Sequence, residues 1–417
     1  MRERRKETTA DPGQEGRVEA PRRLTRAQFD GLPPDVRIAL IQQMAPVLLM
    51  AAEEEMQREV EELAGTRYGR KEGESGVYRF GSNPGTIKLG GKRYPVRVPR
   101  LRSADGEIAL RSYELLHNGS RVGQEVLRRA LGGSSCRSYE DEQPAAVGGA
   151  SKSTASREFV AASSTALKTL QDRDLSSLDV VAVFLDGKYF ADEIMVLAVG
   201  VTIDGSKVFL GFVETGTENA RALSDFLRSI RSRGLDVSKG LLVVIDGSKG
   251  LRSAVKTVFD KQAVVQRCQW HKRENVVSHM PKKRQQSLRT RLQKAYERPT
   301  LEEANEALLE LLNELQTANQ SAHASLSEGL EETLTLHRLG VFATLGKSFK
   351  TTNCIESVNG MVGQICERVD CWKNSSQRQR WFASALLKIE PRLRRVQGHR
   401  ELSTLRLALR KELGLVP

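Results

Sequence analysis

The sequence predicts an α/β protein with a mixed central sheet, an all-helical segment late in the chain and a mainly helical N-terminal region. Three observations predict it. Between Leu178 and Trp270, short apolar runs and helix-period segments follow one another in the order β-β-β-α-β-α-β-α. From Pro299 to His337 the sequence is helical and acidic. From about Pro34 to Leu63, apolar residues recur at a spacing close to 3.6. A length of 417 residues implies two to four domains, and a hydrophobic fraction of 39% suits globular packing.

Taken in order, residues 1–25 are polar, charged and without periodicity, and read as a disordered basic arm. The helix that follows has its stripe at Ile38, Ile41, Met44, Leu48, Met56, Val60 and Leu63, with Gly65 as its stop. GTIKLGGKRYPVRVPRLRS holds two alternating runs around Gly90-Gly91, which predicts a hairpin presenting Lys92, Arg93, Arg97 and Arg100. A basic ribbon of this kind can lie along a DNA backbone, and an ordinary charged hairpin would look the same. Helices are expected at Arg121–Leu131 and Lys152–Leu170, and the Gly/Ser linker between them is too long for a compact helix-turn-helix.

The sheet begins with LDVVAVFLD, Leu178–Asp186, a buried strand ending on an acid. EIMVLAVGVTI and KVFLGFV follow, joined by Asp204-Gly205, a hairpin dipeptide. A helix stopping at Gly234, the strand Leu241–Ile245, the helix Leu251–Phe259, the strand Ala263–Val265 and a helix opening near Trp270 complete the order. A last helix is expected after Thr351-Thr352-Asn353, three good cap residues.

Charge narrows the function. Lys and Arg number 65 against 52 Asp and Glu, a net +13. The segment Pro299–His337 has eight glutamates and no Lys or Arg, so the remainder carries +21. The stretch from Lys373 to Pro417 has eleven basic residues against three glutamates. This distribution points to a polyanion, most simply nucleic acid. No apolar run approaches the roughly 18 residues of a membrane span, and MRERRKETTADPGQEGR lacks a signal-peptide core. Five cysteines without framework spacing suit a reducing cytosol.

Two predicted strands end on an acid followed by glycine, Asp186-Gly187 and Asp246-Gly247. Neighbouring strands would bring both carboxylates to one sheet edge. Like charges persist there only around a cation, and hard oxygen ligands select Mg²⁺ or Mn²⁺. Glu356, at the start of the last helix, is the third acid. Taken singly, each Asp-Gly is an ordinary turn. Cys268 and His271 form half of a zinc motif without a second pair nearby, so zinc is not expected. A local role suits them better, with His271 at the site edge or on DNA and Cys268 packed beneath it.

Taken together, LDGKYF, ETGTEN, VVIDGSKGL, RCQWHK and TTNCIESVNG resemble the IS256/Mutator-type DDE transposases from about Ser177 to Glu390. The resemblance implies a ribonuclease H-like mixed-sheet catalytic core interrupted by an all-helical insertion, with an N-terminal DNA-binding region. It implies Asp186, Asp246 and Glu356 as catalytic and metal-binding residues, two Mg²⁺ or Mn²⁺ ions per site, and basic residues after the glutamate on transposon-end DNA. Here those are Lys373, Arg378 and Arg380, with His271 and Lys272 on the DNA side of the site. Cys354 departs from the small uncharged residues common beside that glutamate. The expected organisation is an arm at 1–25, a helix and basic hairpin at 26–118, a helical DNA-binding segment at 119–175, core at 176–280, insertion at 281–345, core again at 346–390 and a basic C-terminal tail at 391–417. The expected partners are transposon-end and target DNA and at least a second copy of the chain, with no membrane, in the bacterial cytoplasm at the nucleoid. Two rivals stay open at this point: a ribonuclease H-like nuclease without strand transfer, and a non-catalytic DNA-binding protein derived from a transposase.

Overall fold

A computed structural model of the chain describes residues 33–67, 76–89, 92–118, 120–133, 152–216, 219–367 and 369–415. The expected arm at 1–25, the Gly90-Gly91 turn and most of the Gly/Ser linker lie outside them. The chain divides into two compact units, Met1–Val122 with Cys136–Ala155, and Gly123–Ser135 with Ser156–Pro417. No helix among the described residues is long and apolar enough to cross a membrane.

In the smaller unit, α1 (Pro34–Ala64) packs Ala52, Met56 and Val60 against a three-stranded antiparallel sheet of β1 (Tyr78–Leu89), β2 (Lys92–Ser103) and β3 (Gly106–Ile108). Leu89 pairs with Lys92, the register the predicted hairpin requires. The third strand and α2 (Arg111–Asn118) had no sequence signal of their own. The Glu59 carboxylate from α1 accepts from the backbone N–H groups of Arg111 and Ser112, both at 2.8 Å, and so satisfies the start of α2. The helices α3 (Ser120–Leu131) and α4 (Lys152–Gln171) run across the division between the units.

The larger unit is built on β4 (Val180–Phe190), β5 (Glu193–Thr202), β6 (Lys207–Thr215), β7 (Leu241–Ile245) and β8 (Ala263–Arg267) in the order β6-β5-β4-β7-β8. The pairs β6-β5 and β5-β4 are antiparallel, while β4-β7 and β7-β8 are parallel. Between the strands lie α5 (Ala220–Ser232) and α6 (Lys249–Phe259). After β8 come α7 (Gln269–Ser278), α8 (Lys282–Tyr296), α9 (Leu301–Ala318), α10 (Gln320–Ser327), α11 (Leu330–Thr333), α12 (Thr335–Arg338), α13 (Phe342–Phe349), α14 (Asn353–Cys366), α15 (Ser375–Ile389) and α16 (Leu402–Glu412). The mixed α/β class is therefore as the sequence predicts.

Side chains alternate across the sheet with a period of two, which gives each face its own core. Val183, Leu185, Val243 and Ile245 pack under α5 and α6. Ala182, Phe184, Leu242 and Val244 face the other way, where α14, α15 and α16 cover them. The helices α7–α11 supply a third core of their own, including Val276, Leu292, Leu308 and Leu315.

One expectation needs correction and another is refined. The strand β4 does not end on Asp186. Its pairing with β7 stops at Leu185–Ile245, but it continues beside β5 to Phe190 and turns at Ala191-Asp192, both with positive φ (51° and 69°). A two-residue hairpin turn prefers Asn-Gly or Asp-Gly, and the absence of either hid this extension. The basic stretch 391–417, expected as a tail, includes the helix α16. In α16, Leu402, Leu405 and Leu409 are fully buried on the sheet, and Arg406 binds the Asp179 carboxylate (2.7 Å) and the carbonyls of Val180 (3.0 Å) and Gly240 (3.1 Å).

Gly234 ends α5 with φ +101°, and a Cβ there would stand 2.8 Å from the Ser176 backbone nitrogen. Gly340 also has a positive φ (+67°), with nothing within 4 Å of the same atom. Gly234→Ala should therefore cost about 2–3 kcal/mol, and Gly340→Ala about 1 kcal/mol. Thermal melts of the two variants beside wild type would show the larger fall in Gly234→Ala. Equal falls would mean that the contact with Ser176 is not a constraint.

Candidate active site

The register of β4 and β7 decides where the first two acids go. Leu185 pairs with Ile245, so Asp186 and Asp246 are each the next residue on adjacent parallel chains. By alternation they follow Phe184 and Val244, on the face covered by α14. There, Ile355, Val358 and Val362 anchor α14 against the sheet, which leaves Glu356 in the first turn at the border of the same face.

Asp186 is only 6% exposed. Burial, then the Asp246 charge, and further on that of Glu356 push its carboxyl up to about 7, against a downward pull from His271. Asp246 accepts from the Ser248 N–H at 2.8 Å, and the Ser248 hydroxyl caps α6 by accepting from the Leu251 N–H (3.3 Å). Gly247 between them has φ +109°, and a Cβ there would stand 2.5 Å from the Arg267 guanidinium, so glycine is required.

His271 supplies the opposing charge. It stands in the first turn of α7, with Nε2 4.0 Å from the Glu356 carboxylate. Burial pulls its pKa down, but the Cys268 sulfur and then Asp186 and Asp246 outweigh that and raise it to about 9. Cys268 is fully buried and caps α7, its sulfur accepting from the His271 N–H at 3.5 Å. Of the three cap candidates Thr351, Thr352 and Asn353, Thr352 stands at the N-cap of α14. Its hydroxyl instead lies 3.4 Å from His271 Nδ1 and 3.7 Å from the Cys268 sulfur, and it makes no side-chain cap to its own helix. Nothing in the sequence signalled that use of Thr352. Cys354, beside the cluster, has its thiol pushed up to about 12 by burial, so it adds no charge.

The donor chemistry, three carboxylates with hard oxygens, fits a divalent cation. Their side chains as placed do not close on one point: among the described residues no three His, Cys, Asp or Glu side chains form a metal-holding group.

The predicted DNA-side residues are distributed unevenly. Arg93 and Arg97 are exposed on β2, which Lys92 opens. Arg100 is committed to a bidentate pair with Glu107 (2.6 and 2.8 Å). Lys272 is buried, its ammonium donating to the Ser325 and Glu328 carbonyls and its pKa lowered to about 8 mainly by burial. That places it as an internal brace rather than on a surface. Arg378 is likewise held by Glu214, donating through Nε at 2.6 Å, with Glu193 at 3.6 Å. Lys373 is exposed, and Arg380 donates to Ser376 at 2.5 Å. Glu214, within ETGTEN, carried only a motif-level signal before the fold showed its partner.

In comparisons with known proteins, residues 40–384 match the family model described as "Transposase, Mutator family". The transposase for insertion sequence element ISRM5 of Rhizobium meliloti (strain 1021) is 27% identical over 323 residues, 75% of this chain and 79% of that protein. The transposase for IS256 in transposon Tn4001 of Staphylococcus aureus is 28% identical over 195 residues, 46% of this chain and 48% of that one. The transposase for IS905 of Lactococcus lactis subsp. lactis (strain IL1403) is 24% identical over 321 residues, 73% of this chain and 76% of that one.

A carboxyl whose pKa rises on folding opposes folding once it must ionise. Between about pH 4 and pH 7 the unfolded chain releases the Asp186 proton first, so stability falls as pH rises through that window. In metal-free buffer, Asp186→Asn should therefore match wild type near pH 4 and exceed it by roughly 2–4 kcal/mol above pH 7. Urea melts across that range test it. An Asn variant less stable than wild type at pH 8 would mean that the carboxylate is not under strain.

Proposed function

The chain belongs to the Mutator family of transposases, and on that premise we propose that it cuts DNA at the ends of an insertion sequence and joins the freed 3′-OH to target DNA. In this reading the sheet is a ribonuclease H-like core, and Asp186, Asp246 and Glu356 are its catalytic carboxylates. The observation that carries the reading is the parallel register that sets Asp186 and Asp246 one residue beyond the paired Leu185 and Ile245, with Glu356 near enough to help raise Asp186. The strand order, three antiparallel strands followed by two parallel ones, supports it, as does the helical stretch inserted between β8 and α14.

Asp186, Asp246 and Glu356 would hold Mg²⁺ or Mn²⁺, two ions per site. When bound, such ions polarise the scissile phosphate and activate a water or a 3′-OH for attack. The acids then serve as ligands, so none has to abstract a proton. His271, charged at neutral pH, balances them and stands beside Glu356 as a donor toward a phosphate oxygen. Arg93 and Arg97 on β2, with Lys373 after α14, offer exposed cations for DNA phosphates, which would make binding strongly salt-dependent. Each site handles one strand end, so a reaction on two element ends calls for at least two copies of the chain. Such work on bacterial DNA would put the protein in the cytoplasm, at the nucleoid.

The test is cleavage and strand transfer on DNA carrying the ends of the element that encodes the chain, with wild type beside Asp246→Ala and Glu356→Ala. Both variants should bind those ends yet cut and join more slowly by over about a hundredfold, more than loss of an outer-shell partner usually causes. Mg²⁺ or Mn²⁺ should raise the melting temperature of wild type and not of Asp246→Ala. Variants that cut at the wild-type rate would remove the carboxylates from the mechanism. Cutting without joining, even from a pre-cut 3′-OH end, would make the chain a nuclease.

A further inference from the structure

Beside the acids lies a feature that the reaction as described does not use. Trp270 opens α7 between Gln269 and His271, yet its side chain remains 41% exposed. Its indole meets the His271 ring edge-on, centroids 4.9 Å apart. It forms one wall of a cavity of about 140 Å³ whose other walls include Arg273, Gln293, Tyr296, Lys350 and Thr351. That volume is below the ~300–1,000 Å³ of sites for drug-sized molecules, so it suits a single flat ring system.

The chemistry of the walls indicates what kind of ring. Both cations are already matched: Arg273 donates to Glu274 (3.0 Å) and Gln293 (3.1 Å), and Lys350 lies 4.0 Å from Glu297. Neither cation stands without a partner, although Glu274 is shared with Arg289 (2.9 Å). The Gln293 amide is engaged at both ends, by Arg273 (3.1 Å) and Glu297 (3.0 Å), and the Gln269 amide donates to the Thr333 carbonyl (2.9 Å). What remains open to a ligand is the aromatic face of Trp270, which suits a nucleobase because every base can stack by its face. The cavity is also rigidly placed. The Gln269 N–H donates to the Lys350 carbonyl (2.9 Å), which joins the start of α7 to the segment leading into α14 and Glu356.

We propose that this cavity is a subsite for one nucleobase of the strand being cut, taken out of the duplex stack and laid on the Trp270 indole. The proposal rests on the reading of the neighbouring acids as the cleavage site. Trp270 is then a positioning residue: stacking holds the unpaired nucleotide, and the phosphate next to it is presented to Asp186, Asp246 and Glu356.

The experiment uses the full chain and element-end DNA carrying 2-aminopurine at successive positions around the cleavage point. Asp246→Ala prevents cutting. Binding should change the fluorescence at one position only, and adding Trp270→Ala should abolish that change while end-DNA affinity stays within about threefold. With the acids intact, Trp270→Ala should slow cleavage of intact duplex about tenfold or more, in line with the ~1–3 kcal/mol of stacking per base. An abasic nucleotide at the sensitive position should restore the rate, because nothing then has to be unstacked. Trp270→Phe keeps an aromatic face and should fall between the two, and thermal melts would confirm that both variants fold. Fluorescence unchanged by Trp270→Ala at every position, or wild-type cleavage of intact duplex by that variant, would overturn the proposal. If wild type cuts nothing in Mg²⁺ or Mn²⁺, the reading of the acids fails instead, and the fluorescence still decides whether the cavity takes a base.

Discussion

Two carboxylates side by side on adjacent chains of one sheet repel each other, and much of the larger unit is arranged around that repulsion. The parallel register that pairs Leu185 with Ile245 puts Asp186 and Asp246 side by side one residue later. Burial then makes ionising Asp186 still harder. The fold answers with an imidazolium. His271 is held in place by a helix cap below it and a threonine beside it, and its pKa rises through the Cys268 sulfur first and then through Asp186 and Asp246. Three acids set against His271 favour a divalent cation.

His271 depends in turn on the helices between β8 and α14. Gln266 and Gln269 donate to the Thr333 carbonyl (3.0 and 2.9 Å), Thr335 donates to the Val265 carbonyl (2.7 Å), and Lys272 closes on the end of α10. Arg267 joins the Glu328 carbonyl (2.8 Å) to that of Gly247 (2.6 Å), directly after Asp246. Buried polar groups of this kind are costly unless fully paired, and when paired they fix geometry. The helices between β8 and α14 therefore brace the second acid and the start of α7 together.

The class of fold was legible because it follows from period and order. The apolar runs at 180–185 and 241–245 are fully buried strands, and the 3.6-residue stripe from Pro34 is α1. The placement of Asp186 and Asp246 was legible for a similar reason, since a residue following an alternating strand inherits its face. What escaped the sequence depends on partners distant along the chain. The extension of β4 to Phe190 rests on β5 and on a turn without glycine. The tail became α16 because Leu402, Leu405 and Leu409 find the sheet, and Arg406 finds Asp179, 227 residues away. Thr352 looked like a cap because local rules cannot see His271, 81 positions earlier.

The same distinction governs the net charge. A surplus of +13 pointed to a polyanion, but many of the cations that looked available are committed inside the protein. Arg100 is held by Glu107, Arg378 by Glu214, Arg406 by Asp179 and Lys272 by two carbonyls. A guanidinium already paired with a carboxylate must give up that bond before it can hold a phosphate, so it contributes little to an electrostatic track. Arg93 and Arg97 make no ion pair among the described residues and are exposed, so the smaller unit carries charge that DNA can reach at least cost. Around the acids the balance is different: the basic residues near the site mostly build it. In the proposed function, affinity for DNA and chemistry on DNA would then fall to different residues, the exposed cations of β2 to backbone contact and the groups around Asp186 to a single phosphodiester.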